Sequence, residues 1–463
     1  MNKNNKIVAI VAVIIIIIAS IGVTYVLTQD NGSSDARTIS YDANGGTGSL
    51  ASETGKTSDI TLLPTTNPSH DAEDGADIIF IGWSTSKVPI IDNGGTVPIL
   101  LGAVITDSDT TVYAVWAYDR NGDGTPDFYD SKYSITDARG RTIEVPEINS
   151  IYAIHSCSLE LVSFFDAVSK VNWYDSSKGS SNGGESFTDP GRTHSFIMAY
   201  DNPQVLNLPP VDCDDIEAVI AASPSIIISS TVSVSDLNTY QSKAKIPVFA
   251  INADVEFDSS IMYSQILALG MLFGEQSRAQ ELIDGILSFI GNISDNAQHA
   301  DETAYACGMM YYGAGTFLKT SGNYLPFVYS NVENVYPPVF GGQPYNTDLE
   351  TLISKNPGVI FMDGSSINVS KQFIEDNMET LSYTDAIKNG KVYQTLVYKD
   401  WGTNWVNQLI NVYYVADIMH PGEFGDFEDN ANNIIQLFYP GTSVTYDVLA
   451  NAQTYGGCQQ VQL

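Results

Sequence analysis

The most explicit chemistry in the chain lies in YDRNGDGTPDFYD, residues 118–130. Asp119, Asn121, Asp123, Asp127 and Asp130 fall at positions 1, 3, 5, 9 and 12 of a calcium loop. Gly124 stands at position 6, where the chain must turn sharply, and Thr125 offers its carbonyl at position 7. Ca²⁺ needs many hard oxygens around one point, and this spacing supplies them. The plain alternative is a solvated acidic linker. His155 and Cys157 are residue types that can ligate a metal directly. Cys157 reads equally well as a small buried residue or as a partner for Cys213. Two further stretches, MMYYGAGTFLK (309–319) and VYKDWGTNW (397–405), combine Tyr and Trp with Lys. Their flat amphipathic rings suit a large planar or macrocyclic ligand. No GxSxG, HExxH or P-loop occurs and the five His are scattered, so the sequence reads as a non-enzyme.

These residues sit in a chain of 463 residues with 54 acidic and 21 basic side chains, a net charge of −33. That balance argues against nucleic acid, whose phosphates call for Lys/Arg patches. Hydrophobic content of 43% is ample for a large core, and the length predicts two or three domains. Residues 7–28 are uncharged and long enough to span a bilayer, with Lys3 and Lys6 before them and Asp30 and Asp35 after. Residues 1–29 are therefore expected to be a transmembrane anchor (or a signal peptide). The body then lies at the cell surface or in the periplasm. No Cys follows closely enough for a lipid anchor.

The elements that position the candidate residues follow from periodicity. Residues 38–117 contain alternating strands around an Asn44-Gly45-Gly46 turn and close with TVYAVWA, a small β-rich module. Trp83 and Trp116 are expected in its core. From Tyr133 onward, short apolar strands alternate with helical patterns, an α/β signature with parallel sheets. One unit occurs twice: DDIEAVIAASPSIII (214–228) and TDLETLISKNPGVIF (347–361) share an acidic helix start, a Glu and a Pro seven residues later. Two similar lobes follow. Between them, residues 257–294 carry the longest helical pattern, with Gly270 and Gly274 expected to divide it.

Three resemblances follow. The pattern YDANGG…FIGWS…TVYAVW resembles the Listeria–Bacteroides repeat, which implies a spacer or stalk. Asp at position 12 of the acidic loop resembles thrombospondin type 3 and dockerin loops, which implies a structural Ca²⁺ in the linker. The body, through ITDARGRTIEVPEINSIYAI (135–154), IEAVIAASPSIII, LGMLFGEQSRAQELID and AIKNGKVYQTL (386–396), resembles the substrate-binding proteins of iron–siderophore, haem and cobalamin ABC importers. That resemblance implies a class III periplasmic-binding-protein fold: two Rossmann-like lobes joined by a long helix, here preceded by the β module and a single N-terminal transmembrane helix. The expected divisions are 38–117 (β module), 118–130 (calcium-loop linker), 133–256 (N-lobe), 257–294 (connecting helix), 295–446 (C-lobe) and 447–463 (tail).

It further implies capture of a metal chelate between the lobes and delivery to an ABC permease dimer with its ATPase. An iron complex comes first, with cobalamin or haem as alternatives. A surface adhesin or sensor that keeps the binding fold without transport is the rival from another class. Permease docking falls by position to Glu350 in the C-lobe and to Asp236, or by the repeat Glu217, in the N-lobe. Each is also explained as an acid favoured near a helix N-terminus. Ligands in such sheets meet the loops after the strands. That rule selects His155, Ser156, Tyr174, Arg192 and Thr231 in the N-lobe, and Tyr311, Tyr312, Thr316, Lys319, Tyr398, Lys399, Trp401, Asn404 and Trp405 in the C-lobe.

Overall fold

A computed structural model of the protein describes residues 37–463 except 49, 56–59, 65–67, 106–107, 156, 178–186, 188–190, 310–314, 340–342 and 453–455. The anchor expected over 7–28 lies outside the described residues, as do Ser156, Tyr311 and Tyr312. Among the described residues no helix is long and apolar enough to cross a membrane.

The N-terminal module is built on strands β1 (Arg37–Asp42), β2 (Glu53–Gly55), β3 (Ile60–Leu62), β4 (Asp77–Ser84), β5 (Thr96–Val97), β6 (Ala103–Ile105) and β7 (Thr110–Asp119). Its main sheet runs β2-β1-β7-β4. Strand β7 explains the module's placement. Its side chains alternate: Val112, Ala114 and Trp116 enter a module core with Ile39 and Trp83, whereas Val115 and Ala117 enter the core of the body. Both tryptophans are buried and donate their indole N–H to backbone carbonyls, Trp83 to Pro64 and Trp116 to Ala43.

The module is therefore not the free-standing spacer its repeat-like sequence implied. Val97, Leu100, Ala103 and Phe128 share one apolar cluster with Met262, Tyr263 and Ile266 of the body. Strand β5 pairs in parallel with β8 (Ser134–Thr136), which with β9 (Thr142–Glu144) forms the hairpin that opens the body. A strand with two apolar faces cannot leave one in water, and that requirement draws module and body together.

The N-lobe sheet is wholly parallel, in the order β12 (Pro210–Val211), β11 (Val171–Asp175), β10 (Ile151–Ile154), β13 (Ile226–Ser229), β14 (Val248–Ala250). Its helices include α1 (Ser158–Ser163), α2 (Thr193–Asp201), α3 (Ile216–Ala222) and α4 (Val234–Ala244). The central segment forms two helices, α5 (Ser260–Phe273) and α6 (Gln276–Ser294). Gly274, at φ +75°, caps α5 in the left-handed region that favours glycine. A Cβ on Gly270 would meet Ala279, and Gly102 sits between Tyr263 and Ile283, so α5 and α6 fold back as a close hairpin. Of these two helices only α6 crosses between lobes, over about 28 Å.

In the C-lobe, β15 (Ala304–Cys307), β18 (Val359–Asp363) and β19 (Val392–Thr395) are parallel, flanked by β16 (Lys319–Thr320) and β17 (Tyr345–Asn346) on one side. The repeated unit gives equivalent pieces: α3 leads to β13, and α7 (Leu349–Lys355) leads to β18. Both helices end on a left-handed residue, Ser223 and Asn356. Two boundaries differ from expectation. Residues 447–463 are not a loose tail: α10 (Tyr446–Ala452) packs on the core, and β20 (Gln459–Gln460) closes the C-lobe sheet against β19 with Val461 buried. Helices α8 (Trp405–Met419) and α9 (Phe427–Phe438), placed by sequence in the C-lobe, share the N-lobe's apolar cluster with Phe164 and Phe165. The chain therefore crosses between lobes three times: through α6, at residues 396–405, and between α10 and β20.

Candidate functional site

The carboxyl ends of both sheets meet around the second crossing. Residues 399–403 form a tight turn, with a bridge between Lys399 and Thr403 and the Asp400 N–H bonded to the Gly402 carbonyl. Trp401 at its tip has φ +59°, an uncommon conformation for a bulky residue, and is 53% exposed. Such strain persists only where the surroundings enforce it. Here they do: the Thr403 N–H donates to the Ala253 carbonyl, and the Cys157 thiol donates to the Thr403 carbonyl at 3.3 Å.

Two carboxylates fix the charged groups at this turn. The Arg192 guanidinium donates to Asp400 at 2.7 Å. Lys399 pairs with Glu256 at 2.5 Å, and the Tyr398 hydroxyl donates to the other Glu256 oxygen at 2.7 Å. Asp258 lies nearby, accepting from Asn323 at 3.5 Å. Burial, reinforced by the Glu256 charge, pushes the Asp258 carboxyl up to about 6. Asp363, at the end of β18, anchors the crossing by accepting from the Tyr398 N–H and from Ser365; burial raises it also to about 6.

The sequence-selected residues divide accordingly. Arg192, Tyr398, Lys399, Trp401 and Asn404 are brought together at the crossing. Asn404 is buried and donates to the carbonyls of Gly191 and Val397. Trp405 belongs to the core instead: it is fully buried, donates its indole N–H to Val255 and packs on Phe164, so it offers a ligand no face. Tyr398 is likewise buried and acts through its hydroxyl. His155, Thr231 and Ser229 form a separate polar group on the N-lobe. The backbone N–H of His155 donates to Asp175 at 2.8 Å, and the ring Nδ1 lies 3.1 Å from the Thr231 hydroxyl. Burial is the main force on this imidazole and lowers its pKa, against the charges of Asp175 and Asp214. Tyr174 packs edge-on against Phe187, and the Thr316 carbonyl accepts from the Lys319 N–H. Lys319 is buried in the C-lobe sheet, which works against its charge.

Sequence reasoning missed Glu256, Asp258 and Asp400. The strand-end rule applied to PVFAIN (247–252), which contains β14, would have pointed to the residues that follow it, Glu256 and Asp258 among them. Asp400 lay within a quoted motif but was passed over for its aromatic and basic neighbours.

Cys157 and Cys213 are both buried and do not bridge: the Cys157 thiol donates to the Thr403 carbonyl, and the Cys213 carbonyl accepts from the Tyr240 hydroxyl. Among the described residues no three His, Cys, Asp or Glu side chains are grouped to hold a metal ion. In the acidic loop, Asp119 accepts from the N–H groups of Gly122, Asp123 and Gly124. Asp127 accepts from the Arg120 guanidinium, which also grips Asp92 of the module. Asn121 donates to Asp123, which also accepts from the Thr125 N–H; Asp130 ends the short 3₁₀ turn that begins at Asp127. Glu217, Asp236 and Glu350 are exposed in the first turns of α3, α4 and α7, while Asp215, Ser233 and Asp348 make the capping bonds. A cavity of about 530 Å³ at the module–body junction is lined by Phe80, Leu100, Tyr129 and Met271, and none of its lining residues is charged.

A profile of the periplasmic binding protein family matches residues 192–396, from the start of α2 to the end of β19. Among solved structures, the molybdate-binding protein MolA of Haemophilus influenzae aligns with TM-score 0.52 at 19% identity, over 67% of this chain and 99% of its own. A periplasmic solute-binding protein of Veillonella parvula aligns with TM-score 0.51 at 16% identity, over 69% of this chain and 96% of its own. An ABC-transporter solute-binding protein of Sulfurospirillum deleyianum gives 0.50 and 17%, over 69% and 98%. Among curated proteins no relative matches. The body of this chain thus has the two-lobed fold of ABC-transporter solute-binding proteins.

Proposed function

We propose that the protein is the solute-binding component of an ABC importer, holding a small-molecule metal chelate between its lobes and presenting it to a permease dimer with its ATPase. A ferric chelate is the first candidate, with cobalamin or haem next. The observation that carries this reading is the meeting of both strand-end faces at one turn, where Trp401 is exposed on strained backbone between two ion pairs. The three crossings favour small rocking of the lobes over wide opening. In this reading the body lies outside the cytoplasmic membrane, tethered through residues 7–28, and Glu350 with Asp236 or Glu217 faces the permease.

Isothermal titration of the protein with ferric hydroxamate, cobalamin and haem tests the reading. One of them should bind, and Trp401→Ala should weaken it about tenfold or more, as loss of a central aromatic contact does. Binding unchanged by Trp401→Ala moves the ligand away from the crossing. Failure of all three, with no permease gene beside this one, favours an adhesin or sensor.

A further inference from the structure

The cleft's charge limits what it can hold. Two of its cations are already neutralised within the chain. Arg192 is spent on Asp400 at 2.7 Å and Lys399 on Glu256 at 2.5 Å. Arg139, in the turn between β8 and β9, stands among the charges of Asp254 and Asp137. Lys319 is buried within the C-lobe sheet. Against these stand Asp400, Glu256, Asp258 and Asp254 on the loops after β14 and β19. Among the described residues at the crossing, two cations, Arg192 and Lys399, face four carboxylates, Asp400, Glu256, Asp258 and Asp363. An anionic ligand would have to break an ion pair to find a cation, and would leave a carboxylate facing its own charge. A cation meets surplus carboxylate and the exposed indole of Trp401, whose face attracts positive charge. The whole chain, at −33, adds a field of the same sign.

We propose that this cleft selects a positively charged ligand, a metal chelate carrying a cationic group seated by Trp401 and the Glu256–Asp258–Asp400 carboxylates, and rejects oxyanions and anionic chelates. The proposal rests on the reading of the crossing as the ligand site and adds the sign of the ligand's charge.

The test uses one ferric trihydroxamate core with three tails: ferrioxamine B, whose free amine is protonated, its N-acetyl derivative, which is neutral, and its N-succinyl derivative, which is anionic. Molybdate and metal-free desferrioxamine B are titrated in parallel into the full chain. The expected order of affinity is amine, then acetyl, then succinyl. Amine and succinyl should differ about tenfold or more, the gap narrowing with salt. Molybdate should give no heat. The metal-free amine should bind more weakly than its ferric form; equal binding would assign the site to an organic cation. Glu256→Gln, which keeps an acceptor for Tyr398 but takes the carboxylate away from Lys399, should compress the amine–succinyl gap; a gap unchanged in the variant overturns the charge proposal. Tighter binding of the succinyl chelate or of molybdate overturns the charge proposal and leaves the solute-binding reading standing. No binding by any probe rejects the chelate reading, and the charge proposal falls with it.

Discussion

Two junctions hold this molecule together, and they are built oppositely. Between module and body the contact is apolar: Val97, Leu100, Ala103 and Phe128 share a core with Met262, Tyr263 and Ile266. Between the strand ends of the lobes the contact is polar, made by Arg192–Asp400, Lys399–Glu256 and Tyr398–Glu256. An apolar junction loses the free energy of every buried methylene when it opens, so it stays shut. A polar junction can exchange its partners for water as it parts, so it is the one able to open and admit a solute. The region that reads as a detachable stalk is therefore the fixed one, and the region built for exchange lies inside the body.

The sharpest way to break this comparison is to cut into the shared core. Phe128 is fully buried there, with its ring tilted against those of Tyr129 and Tyr133. Phe128→Ala should cost about 3–5 kcal/mol, and denaturant unfolding should still show one transition for module and body. Two separated transitions would mean that the module folds alone and the comparison fails. A gentler cut is Gly102→Ala. Its Cβ would come within 2.6 Å of Ile283 and 3.4 Å of Tyr263. Because the nearer atom ends a flexible side chain, the cost should be about 1–2 kcal/mol by the same measurement.

The polar junction should respond more weakly. Arg192→Ala removes a guanidinium whose partner, Asp400, is a quarter exposed and can rehydrate. A loss of about 1 kcal/mol is expected, together with faster ligand release in stopped flow. A loss as large as that of Phe128→Ala would make the two junctions equivalent.

The pH dependence of stability separates them further. Asp258 and Asp363 both have carboxyls raised to about 6 in the folded state, chiefly by burial. A raised acid binds its proton more tightly folded than unfolded. Its contribution is therefore present below the ordinary carboxylate range and is lost as pH rises through 6. The melting temperature should fall from pH 4 to pH 6.5, and Asp258→Asn should flatten part of that slope. An unchanged slope in the variant would remove Asp258 as its source.

Much of the fold was legible because local patterns report local burial. The unit with Glu217 and Pro224, repeated at Glu350 and Pro357, announced two lobes, and it supplies α3–β13 and α7–β18. Gly274 marked the break between α5 and α6. What stayed hidden depends on distant pairing. Arg192 and Asp400 are 208 residues apart, and neither carries a local sign of the other. Strand β20 is two polar glutamines, recognisable only beside β19. The double burial of β7 was visible as the run TVYAVWA, but a module resemblance assigned both faces to a self-contained unit. Trp405 misled for a related reason: its residue type suits a cleft, while its position on α8 places it in the core.

The smallest expected effect concerns the acidic joint. Here Asp119 already serves three backbone N–H groups, and Asp127 holds Arg120, which also reaches Asp92. The joint is thus clamped by an arginine that ties loop to module. A calcium ion would have to displace that guanidinium and turn the carboxylates inward, and part of its binding energy would go to those lost bonds. Without calcium, Asp123→Ala should change stability by less than about 0.5 kcal/mol, since Asp123 is exposed and bonds only within the loop. With millimolar calcium, a higher melting temperature that Asp123→Ala abolishes would assign the loop to the metal. No response, with a loss of stability in Arg120→Ala, would leave the arginine as the clamp. The difference matters to the larger comparison, because a metal-dependent joint would make the fixed junction conditional on its surroundings, whereas an arginine clamp keeps it fixed everywhere.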